Sequence, residues 1–295
     1  MPVCENPRLG NEREPKLVEV AADDQRLAVW DWPGEAPTLL FAHATSFHGR
    51  CWDAVIRRFP ERRCLAFDAR GHGRSSKPPA PYHWGVFRQD LLVILDHFGM
   101  SRVVGIGHSL GGHTVAAAAV KRPNAFRALV LVDPTIRGPE AYGPPAPDVS
   151  FIRKRRVRWR SPNEMFESLR RRPPFTRWKR DVLHQYCEFG LLPEGDVFAL
   201  ACPPDVEASI YENSREPETK LFDLLGPVTA PVVVLRAGYS GDLPFSRSPT
   251  DPRLASRFSN GSDVLLPDRT HYIPMEAPDV VAEYISGLDD ASPEA

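Results

Sequence analysis

Apolar positions along this chain switch between a period of two and a period of three to four, and each switch predicts an element. In "KLVEVAADDQRLAVWDWPG" two alternating runs, residues 17–20 and 27–31, flank a polar turn and predict a β-hairpin. "TLLFA" (38–42) and "CLAFD" (64–68) are short and mostly apolar, as expected of strands covered on both faces. Between them, "CWDAVIRRF" sets Trp52, Val55, Ile56 and Phe59 on one face of a helix. "VFRQDLLVILDHFG" does the same with Phe87, Leu91, Ile94, Leu95 and Phe98, and closes on Gly99 as a C-cap. Strand "RVVGI", helix "GGHTVAAAAVKR" and strand "ALVLVD" continue the alternation. Strands alternating with helices predict a mostly parallel sheet with helices on both faces.

After residue 133 this rhythm stops. Prolines cluster in "GPPAPD", "RRPPF" and "CPPD", and the apolar pattern stays patchy to about residue 218. The alternation returns with "KLFDLLG", strand "PVVVL" (231–235), "PRLASRF", strand "SDVLL" and a last helix, "PDVVAEYISGL". The expected fold class is therefore α/β: a mostly parallel, doubly wound sheet with a mainly helical cap inserted after the sixth main strand. Residues 16–133 and 219–288 are assigned to the core and 134–218 to the cap, with flexible ends at 1–15 and 289–295. Ligands of such sheets bind beyond the carboxyl ends of the strands, so an insertion at that edge sits over the site.

Composition narrows the class further. With 42% hydrophobic and 25% charged residues, a chain of 295 residues can bury a sizeable core. A formal net charge of -1 creates no global field to recruit nucleic acid or a membrane surface. No apolar run reaches spanning length, and the polar start "MPVCENPRLGNEREPK" holds no signal-peptide core. The five cysteines, Cys4, Cys51, Cys64, Cys187 and Cys202, are scattered, odd in number and never in a C-x-x-C pair. They read as reduced thiols, which favours a cytoplasmic protein.

Candidate chemistry lies in "VVGIGHSLGGHTVAAAAV" (103–120). Gly107-His108-Ser109-Leu110-Gly111 fits G-x-S-x-G at a strand-to-helix turn. A serine there is held in a strained backbone conformation that projects its hydroxyl above the sheet, and side chains two positions either side would collide with the turn. The helix that follows aims its first amides at the same spot, so the Leu110 N–H can receive an oxyanion. The competing reading is a glycine-rich turn that only packs a helix against a sheet. A serine hydroxyl needs a base oriented by an acid, and for this turn the chain order is Ser, then Asp or Glu, then His. His271, in "LLPDRTHYIPMEAP", follows the last strand and is the candidate base; His113 falls on the next helix and His184 in the insertion. Two aspartates qualify as the acid: Asp242 in "VVVLRAGYSGDLPF", after the seventh strand, and Asp133 at the end of "ALVLVD", after the sixth.

Taken together, these residues resemble the α/β-hydrolase fold superfamily, in its serine-nucleophile branch with a cap. The likeness covers nearly the whole core, about 16–288, and rests on "GHSLGG", "FDARGHGRSS" and "THYIPMEAP". The second stretch is similar to the family's D-x-R-G-x-G-x-S loop through Asp68, Arg70, Gly71, Gly73 and Ser75, which implies a structural brace and not catalytic residues. "FAHATSFHG" resembles the family's H-G-x oxyanion loop, with Ala44 in place of the glycine. That implies an oxyanion hole from the Leu110 and Thr45 amides, with His43 ordering the loop from beneath. The family's acid usually follows the seventh strand and in some members the sixth. Asp242 is therefore preferred, although its loop is about one residue longer than the common spacing, and Asp133 is the alternative. Epoxide hydrolases and haloalkane dehalogenases of this fold carry aspartate at the elbow, so a serine implies an acyl-enzyme.

"FIRKRRVRWRSPNEMFESLRRRPPFTRWKR" (151–180) is the most basic stretch. It reads as a solvated face whose Arg and Lys stems lie over apolar surface, and no nucleic-acid module accompanies it. Trp159, Phe166, Phe175 and Trp178 interleave with the charges and either hold the cap to the core or line an apolar pocket. The candidate pocket residues are His48, His108, Trp159 and Trp178. The function implied is a serine hydrolase of a small to medium, partly hydrophobic ester or lactone. It needs no cofactor or metal, and its partner is a small-molecule substrate, with no nucleic acid and no membrane insertion. Cleavage of C–C bonds or amides on the same residues, and a non-catalytic ligand-binding receptor of the same fold, are the alternatives.

Overall fold

The computed structural model describes residues 13–143, 147–243 and 246–290. Of the ends expected to be flexible, residues 1–12 and 291–295 lie outside the described residues, as does Cys4. Arg13 is tied down: its guanidinium donates to the carbonyls of Arg62 (2.8 Å) and Phe59 (3.1 Å).

Strands β1 (Lys16–Ala22) and β2 (Gln25–Trp32) form the expected antiparallel hairpin, in register from Lys16↔Asp31 to Ala22↔Gln25. The chain continues through β3 (Glu35–Ala42), α1 (Asp53–Ile56), β4 (Arg62–Asp68), α2 (Trp84–His97), β5 (Val103–His108), α3 (Leu110–Lys121) and β6 (Phe126–Val132). Then come α4 (Ser150–Arg153), β7 (Arg158–Trp159), α5 (Pro162–Leu169), α6 (Arg180–Phe189), β8 (Leu191–Glu194), β9 (Val197–Leu200) and α7 (Pro204–Glu212). Strands β10 (Val232–Ala237) and β11 (Gly261–Leu266) and helices α8 (Ile273–Glu276) and α9 (Pro278–Asp290) close the described chain. The eight-stranded sheet has the order β1-β2-β4-β3-β5-β6-β10-β11. It is parallel from β4 to β11 and antiparallel between β1, β2 and β4.

Alternation along the central strands splits the core in two. Leu40, Leu129 and Leu131 face the layer of α2 and α3, with Phe87, Leu91 and Val115. Leu39, Phe41, Val130 and Val132 face the opposite layer, with Trp52, Val55, Val281 and Ile285. Both faces are covered, so these strands read as continuous apolar runs rather than alternating ones.

Two local expectations change. Residues 220–226 form turns where the alternation suggested a helix. Pro227 disfavours helical geometry at the residue before it, and Leu221, Phe222 and Leu225 are buried from a turn instead. The segment between β6 and β10 also carries an antiparallel sheet, β7-β9-β8, beside its helices. Strands of two and four residues are too short to show a period. This segment meets the core through a third apolar cluster, in which Trp159, Met165, Phe166, Trp178, Leu183 and Tyr186 surround Ala44, Phe47 and Cys51. Several of its basic residues form ion pairs, among them Arg153–Glu212, Arg156–Glu164, Arg158–Glu194 and Arg177–Glu276.

Candidate active site

Ser109 occupies the single residue between β5 and α3, at φ 55° and ψ -115°. A non-glycine residue there is strained, at roughly 1–3 kcal/mol, and hydrogen bonds hold it in place. Its N–H donates to the Val132 carbonyl (3.1 Å), and its own carbonyl accepts from the amides of His113 (3.1 Å) and Thr135 (3.1 Å). The flanking glycines are required by space. A Cβ on Gly107 would lie 2.4 Å from the Gly111 carbonyl oxygen, and one on Gly111 would lie 2.1 Å from that of Ala42. The second contact brings the first turn of α3 against the end of β3 and the loop that carries Thr45.

The Ser109 hydroxyl lies 3.0 Å from His271 Nε2, and His271 Nδ1–H donates to Asp133 Oδ2 at 2.6 Å. The imidazole is anchored through its own backbone: the His271 N–H donates to the Ser246 carbonyl (2.8 Å), and its carbonyl accepts from His108 Nε2 (2.7 Å). Asp133 is fully buried. Its second oxygen accepts from the Ala237 N–H (3.1 Å), the Ser248 hydroxyl and the Thr250 hydroxyl (3.3 Å). A carboxylate on Nδ1 leaves Nε2 as the acceptor, so the arrangement can take the serine proton and stabilise the imidazolium that results. Thr135 adds a hydroxyl 3.1 Å from Ser109 Oγ. No sequence signal pointed to Thr135, Ser248 or Thr250, because their role depends on which loops meet.

The preference for Asp242 as the orienting acid is corrected by the geometry. Its side chain is 98% exposed and faces Arg247 at 3.5 Å, whereas Asp133 is the carboxylate against His271. The loop after β10 leaves Asp242 in solvent and returns to the site at Ser246, Ser248 and Thr250, while β6 lies between β5 and β10 and ends beside Ser109.

Two histidines brace the loop after β3. The Ala69 N–H donates to His43 Nε2 (3.0 Å), and His43 Nδ1–H donates to the Ala44 carbonyl (2.7 Å). The Ser46 N–H donates to His72 Nε2 (3.0 Å), whose Nδ1–H donates to the Arg70 carbonyl (3.0 Å). Each ring therefore uses one nitrogen as acceptor and is neutral, in keeping with burial, which pushes the pKa of both down. Asp68 ties the same region together by accepting from the Gly49 N–H (2.7 Å) and the Arg74 N–H (2.8 Å), and Arg70 pairs with Asp90. Thr45 lines the cavity beside Ser109, and Leu110 is the first residue of α3, where helix amides lack partners within the helix.

Ser109 and His271 open into a cavity of about 580 Å³, within the range of small-molecule sites. Its walls are mainly apolar: Phe47, Ile152, Phe175, Trp178, Tyr186 and Tyr272 contribute. Trp178 and His108 line it as expected, and burial and the nearby His271 push the pKa of His108 well down, so that ring is neutral. His48 and Trp159 do not line it, which corrects both as pocket candidates. His48 is stacked behind Tyr186 and bonded to its carbonyl (3.2 Å), and Trp159 lies within the inserted segment under the Arg156 guanidinium (3.9 Å). Residue type carries no direction. Among the described residues, no group of three or more His, Cys, Asp or Glu side chains is placed to hold a metal ion.

The profile of the alpha/beta hydrolase family matches residues 39–284, most of the chain. The protein belongs to the alpha/beta hydrolase family. The chain is 23% identical over 265 residues to the 2-(acetamidomethylene)succinate hydrolase of Mesorhizobium japonicum, covering 88% of this hydrolase and 90% of that one. The crystal structure of an E-2-(acetamidomethylene)succinate hydrolase superimposes with a TM-score of 0.74 at 22% identity, covering 94% of this chain and all of the other (100%). A bifunctional esterase/perhydrolase of Acinetobacter calcoaceticus is 33% identical over 97 residues, 32% of this chain and 35% of that protein. Among the described residues, no helix of the hydrolase is long and apolar enough to cross a membrane.

Proposed function

We propose that this hydrolase cleaves a small to medium, partly hydrophobic carboxylic ester or lactone through an acyl-enzyme on Ser109. The observation that carries the reading is the hydroxyl–imidazole–carboxylate relay, 3.0 Å from Ser109 Oγ to His271 Nε2 and 2.6 Å from His271 Nδ1 to Asp133. His271 takes the serine proton as Oγ attacks the carbonyl carbon, and Asp133 stabilises the imidazolium. The amides of Leu110 and Thr45 hold the oxyanion. As the tetrahedral intermediate collapses, His271 gives its proton to the departing alkoxide. Water then adds to the acyl carbon with His271 as base, and the second collapse returns the proton to Ser109 and releases the acid. The walls around Phe175 and Trp178 suit an apolar portion of the substrate. Similarity to an esterase/perhydrolase and to a 2-(acetamidomethylene)succinate hydrolase supports hydrolysis as the reaction class.

Intact mass after exposure to a small fluorophosphonate is the direct test. A single adduct on the parent protein is expected, absent from Ser109→Ala and His271→Ala. A parent that stays unlabelled and fails to turn over a panel of esters and lactones would leave a ligand-binding protein of the same fold.

A further inference from the structure

The cavity holds charge that the relay does not use. Arg137, Arg155, Arg215 and Arg247 line it, and Glu207 is the carboxylate among the described lining residues. Glu207 is taken by Arg155, and Arg247 lies 3.5 Å from Asp242. Arg137 has no carboxylate partner among the described residues. Burial pushes its pKa down, countered by the Tyr142 hydroxyl and reinforced by the neighbouring charge of Arg215; the group stays protonated at any ordinary pH. A partly buried guanidinium without a carboxylate partner among the described residues is costly unless something else engages it.

Its position in the chain gives it a use. The loop leaving β6 places Asp133 on His271, Thr135 on Ser109 and Arg137 in the cavity wall, at alternate residues. Two residues span at most about 7 Å, so the arginine starts within one short substrate of the reacting hydroxyl.

We propose that this part of the cavity is an anion subsite and that the preferred substrates carry a carboxylate, held by Arg137 while the scissile carbonyl meets Ser109. The proposal rests on the hydrolase reading above and narrows its substrate class to anionic esters or lactones. The planar guanidinium fork matches a carboxylate in two parallel hydrogen bonds. The apolar walls then take the uncharged part of the substrate.

Two measurements test it. The first compares kcat/KM for 4-nitrophenyl hemiglutarate with that for 4-nitrophenyl pentanoate, in the parent, Arg137→Gln and Arg137→Lys. The parent is expected to prefer the hemiglutarate, and Arg137→Gln to lower the ratio by about tenfold or more, the scale of a lost charge-assisted hydrogen bond. Arg137→Lys keeps the charge without the fork and should fall between. A general loss of activity does not move this ratio. The second is calorimetric binding of glutarate to Ser109→Ala protein, with and without Arg137→Gln, where the added change should raise Kd by a similar factor. A parent without preference, a ratio unmoved in Arg137→Gln, or glutarate binding that is absent or indifferent to Arg137 overturns the subsite. Were neither ester hydrolysed while glutarate bound in an Arg137-dependent way, the hydrolase reading would fall and the subsite would stand.

Discussion

Ser109 and Asp133 each stand one residue beyond a paired position, His108↔Val132, at the carboxyl ends of adjacent parallel strands. Both have positive φ, 55° and 44°, so both backbones turn sharply as they leave the sheet and both side chains reach His271. The distance between carboxylate and hydroxyl is thereby set by sheet register, the most rigid feature of the fold. Donors from the end of β10 and from Ser248 and Thr250 lock the carboxylate in one orientation.

Replacing Asp133 by Asn should therefore lower kcat by about 10³–10⁴-fold, since the neutral amide favours the wrong tautomer of His271. Asp242→Asn, at an exposed side chain, should change kcat by less than about twofold. Steady-state hydrolysis of 4-nitrophenyl pentanoate by both variants decides, and the reverse ranking would restore Asp242 as the acid.

Gly111→Ala tests the steric argument for the elbow. Its Cβ would meet the Ala42 carbonyl oxygen at 2.1 Å, a backbone atom with no flexible end to yield. Overpacking of this kind costs about 1–3 kcal/mol or more. A lower midpoint in urea together with slower fluorophosphonate labelling is expected, and unchanged values of both would contradict the turn as described.

Thr135→Val removes the hydroxyl 3.1 Å from Ser109 Oγ and keeps the side-chain shape. One neutral hydrogen bond is worth about 1 kcal/mol, so kcat/KM should fall by roughly fivefold. A Thr135→Ser variant should keep most of the activity; if it is as slow as the valine variant, the hydroxyl is irrelevant.

Acid should destabilise the fold early. Burial lowers the pKa of His43, His72 and His108, and takes that of His48 to about 4 and of His113 to about 3. In the unfolded chain each titrates near about 6.5. The unfolded state therefore binds more protons below that value, and the stability present above it is lost as pH falls toward the folded values. Each group contributes about 1.4 kcal/mol per pH unit in that window. Asp53, raised to about 6 by burial, together with Asp90 and Glu207, also raised, pulls the opposite way at lower pH. Between pH 7.5 and 5 the histidines dominate, and the thermal midpoint should drop. A flat profile over that range would mean these imidazoles are not held neutral.

Much of this protein is determined locally. The uninterrupted apolar runs of β3 to β6 announce strands buried on both sides, and the helical spacing of Phe87, Leu91 and Ile94 announces α2. The serine turn is equally legible, because Gly107 and Gly111 are demanded by clashes within a few residues of Ser109 and at the neighbouring strand end. His271 follows from its place after the last strand. The choice between two aspartates was of another kind. Asp133 and Asp242 each follow a strand, and only the sheet order and the path of the loop after β10 bring one to His271 and leave the other in solvent. The same holds for Thr135, for Arg137, and for His48 and Trp159, which have the right chemistry and face the wrong way. Periodicity records which side of an element is buried; it carries no information about which distant loop will stand opposite, and that is decided when the layers pack.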